Sequence, residues 1–263
     1  MEELGFIGFG EAASNFAYGI SLQMPNFKAI VYDVGGVKPN LKQSEVHVVP
    51  VSTPEDLLRK VDIVIVAIPG SADLNMINGL NSELFKDRLI IDLCTAKPSD
   101  KRKISEIIDD AGGSYVDVAA LGSFPALKHQ VPLLISGGGS DKMIEAFENL
   151  GLNIKKMSES AGDAMIVKLC RSIYMKGLAA LTVEMTEVSE AYGVKEQVWA
   201  SLAESMDNDQ FLTYSPRLIT GTIRNLERRT LEVEECLDLI TNMGKCSIMT
   251  EATLKKYKYL KSK

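Results

Sequence analysis

Four residues on one stretch of the chain have the types and spacing of a reaction centre. Within residues 162–177 (GDAMIVKLCRSIYMKG), Lys168, Arg171, Ser172 and Lys176 recur at one-, three- and four-residue steps. On a helix, at about 100° per residue, they fall within about 140° of arc, so three cations and a hydroxyl share one stripe. Such a stripe can hold a carboxylate while one lysine handles a proton. Free lysine titrates near about 10.4, so a lysine base that works near neutrality needs a lowered pKa. Burial and the like charges of Arg171 and Lys176 would push Lys168 in that direction. A shift of about 3 units corresponds to about 4 kcal/mol and requires a site largely closed to water. On a helix taken alone, the same stripe reads as a solvated basic face with snorkelling lysines.

A second constellation opens the chain. The run Gly5-Phe6-Ile7-Gly8-Phe9-Gly10-Glu11-Ala12-Ala13 leads from an apolar segment into a helical pattern over residues 12–22. In Gly8-x-Gly10-x-x-Ala13, Gly8 permits a tight turn and Gly10 lets backbone N–H groups approach a pyrophosphate. Ala13 is the small residue where helix meets strand. The helix N-terminus favours the phosphate charge. Asp33 lies 20 residues after Ala13, at the end of the next strand, where a carboxylate would hydrogen-bond the adenosine ribose. Gly8, Phe9, Gly10, Glu11, Ala12, Ala13 and Asp33, with Ile68 and Pro69 at the end of a later strand, form the expected cofactor-binding set. A carboxylate at position 33 repels a 2′-phosphate, and Val34-Gly35-Gly36-Val37 offers no arginine to hold one. NAD is therefore favoured over NADP, with Lys38 and Lys42 leaving NADP possible.

Two kinds of architecture must position these groups. Up to about residue 156, short apolar runs at residues 4–8, 29–33, 62–68 and 89–93 alternate with longer amphipathic stretches, and residues 115–120 and 132–136 are further candidate strands. That alternation predicts an α/β fold, a Rossmann-type doubly wound parallel sheet with right-handed crossovers. Gly137-Gly138-Gly139-Ser140-Asp141 reads as a turn, capped by the serine or the aspartate, into a helix over residues 142–150. After residue 160 the period changes. Residues 162–192 contain no proline, and Gly193 sits where a helix C-cap belongs. Such a helix would span about 46 Å, whereas a 150-residue domain has a radius of gyration of about 15 Å. It is expected to be the long spine of an all-α C-terminal domain and to meet a second subunit. Further helices, one over residues 221–242, complete it. The expected domains are a dinucleotide-binding domain, residues 1–158, and a helical substrate and dimerisation domain, residues 159–263.

Composition narrows the function classes. Hydrophobic residues make up 46% of the 263 and charged ones 24%, which excludes wholesale disorder. With 35 acidic against 29 basic residues the net charge is -6, so no general attraction to nucleic acid exists. The longest apolar stretches, such as residues 61–69, fall short of the roughly 20 residues of a membrane helix, and no secretory signal is seen. Cys94, Cys170, Cys236 and Cys246 have no paired spacing, and His47 and His129 are the only histidines. No zinc or disulfide framework is expected, and a reducing cytoplasm suits the chain. His129 is expected in a loop, and Arg228–Glu232 reads as a helix-surface pair.

Over nearly its whole length the chain resembles the β-hydroxyacid dehydrogenase superfamily, which includes 3-hydroxyisobutyrate and 6-phosphogluconate dehydrogenases. More closely, it resembles a branch of phosphogluconate-dehydrogenase-like NAD-binding proteins. The resemblance is carried by the opening GFIGFGEAA, by Asp92-Leu93-Cys94-Thr95-Ala96-Lys97-Pro98, and by Asp117-Val118-Ala119-Ala120-Leu121-Gly122-Ser123. Its most specific part is KLCRSIYMKGLAAL, residues 168–181, followed by Glu184 and Tyr192-Gly193-Val194. It implies a catalytic lysine at Lys168, a nicotinamide-proximal loop at Thr95, and a homodimer. It also implies a substrate loop at Leu121-Gly122-Ser123, where better-known members read Ser-Gly-Gly. At Ser172 those members carry a substrate-orienting asparagine. These departures point away from the usual substrates, and Arg171 has the planar fork to take over carboxylate recognition. The activity implied is hydride transfer between a nicotinamide and a small anionic hydroxy acid or keto acid. Leu121, Gly122, Ser123, Arg171, Ser172 and Lys176 are the candidate substrate-binding residues. Two alternatives stay open. One is an imine or pyrroline reductase, although those relatives generally lack the lysine. The other is a non-catalytic dinucleotide-binding regulatory protein whose altered loop and Ser172 are drift.

Overall fold

Alternating apolar residues build a sheet that is covered on both faces. Strand β1 (Glu3–Ile7) sends Leu4 and Phe6 to one face and Ile7 to the other. Strand β4 (Ile63–Val66) separates Ile65 from Val64 and Val66, and β5 (Leu89–Asp92) separates Leu89 and Ile91 from Ile90. Successive side chains of a strand point to opposite faces, so two separate apolar cores need nearly continuous apolar runs. The computed structural model describes residues 2–37, 46–207 and 210–263, and Lys38 and Lys42 lie outside these.

The remaining strands are β2 (Lys28–Tyr32), β3 (His47–Pro50), β6 (Ser114–Ala120), β7 (Leu133–Ser136) and β8 (Ile154–Ser158). The order across the sheet is β3-β2-β1-β4-β5-β6-β7-β8. It is the doubly wound fold expected, with one correction: β7 runs antiparallel to β6, so the sheet is mixed rather than wholly parallel. Strands β3 and β8 were not legible in the sequence. Both are edge strands whose residues are half-buried or exposed, so neither needs the apolar run that marks the central strands. The order reverses at β1, which opens a crevice at the C-terminal ends of β1 and β4, where ligands of such sheets bind.

The covering helices are α1 (Glu11–Ser21), α2 (Pro54–Leu58), α3 (Asp73–Asn78), α4 (Pro98–Asp110), α5 (Phe124–Leu127) and α6 (Ser140–Ala146). The triple glycine makes the expected turn without the expected cap. Gly139 occupies the N-cap with no side-chain hydrogen bond, and the Ser140 hydroxyl donates to the Gly137 carbonyl instead. Gly137 has φ +115, and a Cβ there would come within 2.7 Å of the Tyr115 carbonyl, so close packing explains the glycine. His129 is not a surface loop residue: it is buried, in a single helical turn against Gly19 of α1. Burial lowers its pKa.

The chain divides into two compact units, Met1–Arg171 and Ser172–Lys263, with the division inside the 29-residue helix α7 (Asp163–Ala191). Gly193, at φ +70, follows its end. The second unit continues with α8 (Lys195–Met206), α9 (Phe211–Arg224), α10 (Leu226–Asn242) and α11 (Ile248–Lys261). The single helix expected over residues 221–242 is broken at Asn225, whose side-chain amide donates to the Gly221 carbonyl. Arg228 and Glu232 form the expected ion pair. Among the described residues of this unit, Ile240 is the one buried apolar side chain, while Leu212 is 85% and Ile173 77% exposed. No described helix is long and apolar enough to cross a membrane.

Candidate functional site

The glycine turn has the form its spacing predicts. Gly8 ends β1 at φ +82, its N–H donates to the Tyr32 carbonyl, and a Cβ there would lie 2.6 Å from the Ala67 carbonyl. Only glycine fits that conformation and that approach of β4. Gly10 is the N-cap of α1 with no side-chain cap, and a Cβ placed on it would meet nothing within 4 Å. Gly10 and Glu11 are exposed and Ala12 is half-buried, so the start of α1 is open at these positions, which fits a bound pyrophosphate, whereas Ala13 is buried where helix meets strand. Asp33 accepts hydrogen bonds of 2.8 Å from the N–H of Phe9 and 2.8 Å from that of Gly35. Its carboxylate is thereby aimed beside the glycine turn, with lone pairs left for a ribose. Ile68 and Pro69 follow β4, and the Ile68 N–H donates to Cys94 Sγ.

Lys168 sits in the second turn of α7, half-buried, and its ammonium donates a 3.0 Å hydrogen bond to the Thr95 hydroxyl. Two residues far apart in sequence are thus brought together. Partial burial lowers the Lys168 pKa, the direction expected, but the pair is exposed and not the largely closed site expected; the leading like charge acting on Lys168 is Lys101, not Arg171 or Lys176. Thr95 lies in the loop between β5 and α4, and this loop is clamped from two sides. A Cβ on Gly70 would fall 2.0 Å from the Thr95 carbonyl, and one on Gly162 would fall 2.7 Å from the Pro98 carbonyl. Leu121 and Val167 pack on one small cluster of Ala119, Leu134 and Ala164, which sets the 121–123 loop beside the start of α7. Gly122, Ser123 and Arg171 are exposed, and Ser172 and Lys176 belong to the second unit, half-buried and exposed respectively.

Beneath the Lys168–Thr95 pair lies a group of residues that sequence reasoning missed. Lys101 of α4 is fully buried, with its ammonium 2.6 Å from Asp92, 3.7 Å from Asp73 and 3.7 Å from Asp117. Tyr115 donates a 2.5 Å hydrogen bond to Asp92, whose other oxygen accepts from the Cys94 N–H at 2.8 Å. Asp117 accepts from the N–H of Gly162 and of Met165, each at 3.1 Å, and so anchors the first turn of α7. Burial opposes the ionisation of Asp92, but Lys101 and the hydrogen bonds around it outweigh this and hold its pKa below the ordinary value. Burial and the Asp92 charge push the Asp73 carboxyl up to about 8. Burial also raises Asp117, against the pull of Lys101 and the two N–H donors. A buried charge persists only when paired and hydrogen-bonded, and breaking such a pair costs about 3–5 kcal/mol. The signal available in the sequence was Lys101 itself, which heads a stripe with Ile104 and Ile108 on the buried face of α4.

Comparisons with known proteins bear on the family and the fold. Residues 3–167 match the family model for the NAD-binding domain of 6-phosphogluconate dehydrogenase. The chain is 24% identical over 257 residues to an uncharacterized 28.5 kDa protein in the 7S RNA 5′ region of Methanothermus fervidus, covering 98% of each. It is 26% identical over 197 residues to 2-hydroxy-3-oxopropionate reductase of Escherichia coli (strain K12), covering 72% of this chain but only 63% of that enzyme. A reductive aminase from Aspergillus terreus, solved in complex with NADPH and ethyl-5-oxohexanoate, shares the fold with a TM-score of 0.81 at 17% identity, covering 98% of this chain and 93% of that one. A glycine turn open to a pyrophosphate, at the switch point of a doubly wound sheet, thus coincides with a family match over well more than half of the residues, and the chain belongs to the β-hydroxyacid dehydrogenase superfamily of NAD(P)-dependent dehydrogenases and reductases, through the 6-phosphogluconate dehydrogenase NAD-binding family.

Proposed function

We propose that the chain moves a hydride between a nicotinamide and a small hydroxy acid or its keto acid, with Lys168 as the general acid and base. The observation that supports this reading is the half-buried Lys168, lowered in pKa, whose ammonium donates to the exposed Thr95 hydroxyl. When bound, NAD or NADP accepts or supplies the hydride. The uncapped start of α1 would hold its pyrophosphate and Asp33 its ribose, with Ile68, Pro69 and Thr95 along the nicotinamide half. In oxidation, neutral Lys168 takes the hydroxyl proton as the hydride leaves the same carbon. In reduction, the ammonium returns that proton to the developing alkoxide. Gly122 and Ser123 with Arg171, Ser172 and Lys176 would receive the substrate, and the Arg171 fork suits a carboxylate.

The dinucleotide-binding function is assigned to residues 1–158, and substrate binding and dimerisation to residues 159–263. A helical unit with a single buried apolar side chain among its described residues lacks a core of its own, and a second copy is the partner that would cover its exposed Ile, Leu and Phe residues. Exposed free thiols at Cys170, Cys236 and Cys246 suit a reducing cytoplasm.

The test is a panel of small hydroxy acids with NAD and with NADP, followed by nicotinamide absorbance, on the wild type and on Lys168→Ala. Turnover that Lys168→Ala abolishes, with cofactor affinity nearly unchanged, supports the assignment. Wild-type turnover by the variant overturns the role of Lys168. Amine formation from an imine, with no hydroxy acid oxidised, would make the chain an imine reductase instead.

A further inference from the structure

The strangest group in the first unit is a lysine with no exposed surface. Lys101 cannot reach water, so its only counter-charges are the carboxylates around it. Those carboxylates are not placed at random with respect to the Lys168–Thr95 pair. Asp92 ends β5 and fixes the N–H of Cys94, the residue before Thr95. Asp117, on the neighbouring β6, fixes the N–H groups of Gly162 and Met165, the last of which precedes Lys168 by one helical turn. The register between the strands sets Asp92 opposite Asp117, and the one ammonium reaches both. Each member of the pair is therefore tied, through one backbone segment and one carboxylate, to the same buried cation.

We propose that Lys101 is a positioning residue for the Lys168–Thr95 pair. It braces Asp92 and Asp117 so that the β5–α4 loop and the first turn of α7 keep one spacing, and it presents a fixed like charge beneath Lys168. The proposal rests on the catalytic reading of Lys168. The titratable groups involved are Lys101 on α4, Asp73 on α3, Asp92 and Cys94 at the end of β5, and Asp117 and Tyr115 on β6. Lys168 is pulled down by burial first and by Lys101 next, against Asp117, Cys94 and Asp92, so removing the Lys101 charge raises its pKa.

The experiment reads the Lys168 amine directly. Trace labelling with acetic anhydride, which acylates only neutral amines, is followed across pH by peptide mass spectrometry, with exposed Lys60 as the internal reference. It is done on the full chain as wild type, Lys101→Met and Lys101→Arg, with NAD binding and thermal unfolding measured alongside. Lys101→Met is expected to move the Lys168 labelling midpoint upward and slow its labelling several-fold at a fixed pH near neutrality. Lys101→Arg, which keeps the cation, should return it toward wild type. If Lys101→Met does not fold, Lys101→Gln, which keeps donors for Asp92 and Asp117, takes its place. An unchanged Lys168 midpoint in a less stable variant, or failure of both uncharged variants to fold, would leave Lys101 a purely structural brace and overturn the proposal. A shifted midpoint in a protein that oxidises no hydroxy acid removes the functional reading alone. An unshifted midpoint with turnover still lost in Lys168→Ala removes this inference alone.

Discussion

Lys168 donates a 3.0 Å hydrogen bond to the hydroxyl of Thr95, which ties the second turn of α7 to the loop that follows β5. The pair joins positions 73 residues apart, and its pKa direction makes a kinetic statement. In the proposed role, oxidation needs neutral Lys168, so its rate should rise with pH through a midpoint below that of free lysine, about 10.4. Reduction needs the ammonium and should fall through the same midpoint. Lys168→Arg keeps the cation but cannot release a proton in this range, so both directions should lose about 10²- to 10⁴-fold at every pH. A Lys168→Arg protein with an intact pH–rate profile would refute the proton-transfer role.

Asp33 should decide between the cofactors. It accepts from the Phe9 and Gly35 N–H groups, so Asp33→Ala loses both the shape of the glycine turn and the proposed ribose acceptor. Fluorescence titration should show NAD binding weakened about tenfold or more, as expected for the loss of a charged hydrogen bond. NADP should lose less, because the carboxylate that opposes its 2′-phosphate is gone. Equal losses for the two cofactors would show that Asp33 does not discriminate.

Asp73 should make stability depend on pH. Its carboxyl is pushed up to about 8 in the folded chain, by burial first and then by Asp92, against about 3.9 when unfolded. The folded state therefore holds a proton that the unfolded chain releases. The resulting stabilisation is complete below about pH 4 and lost as pH rises to about 8. Asp73→Asn imitates the protonated group and removes this slope. Melting temperatures taken between about pH 5 and about pH 8 should fall more steeply for the wild type than for the variant. Parallel curves would mean that Asp73 is ionised in the fold.

Glu184 should matter for stability rather than chemistry. Its buried carboxylate accepts from the N–H of Met249 at 2.7 Å, and from the N–H and hydroxyl of Thr250 at 2.9 and 2.6 Å, which caps the start of α11. Glu184→Ala leaves those donors unpaired and should cost about 1–3 kcal/mol in denaturant unfolding. An unchanged unfolding midpoint would rule out the cap as a stabilising contact.

Much of this protein could be read from its residues alone, because some constraints are local. The turn Gly8-x-Gly10 is the backbone a pyrophosphate would need, and Asp33 is the acid a ribose would need, so both were legible from their spacing. The buried strands β4 and β5 are apolar on both faces and announce themselves. The long helical period after residue 160 and the terminal Gly193 needed only helix geometry. The edge strands β3 and β8, the reversal at β7 and the break at Asn225 were not legible, since half-buried strands leave no periodic trace, long-range pairing sets the direction of β7, and a local bond from Asn225 to the Gly221 carbonyl does not alter the helical pattern.

The candidate site divides in the same way. Lys168 stood out by its type and its place on a helix, and so did its need for a lowered pKa. The source of the like charge was assigned to Arg171 and Lys176 because they share its helix, whereas folding supplies it from Lys101, 67 positions earlier. Asp73, Asp92, Lys101 and Asp117 are spread over 45 residues and show no common spacing, so nothing local links them. They meet because adjacent parallel strands and the helices flanking them bring distant carboxyl groups to one buried point around a single ammonium. The order of residues sets which groups are available and what each backbone segment can do. Long-range pairing across the sheet decides which charges share a low-dielectric interior, and so which of those groups change their chemistry.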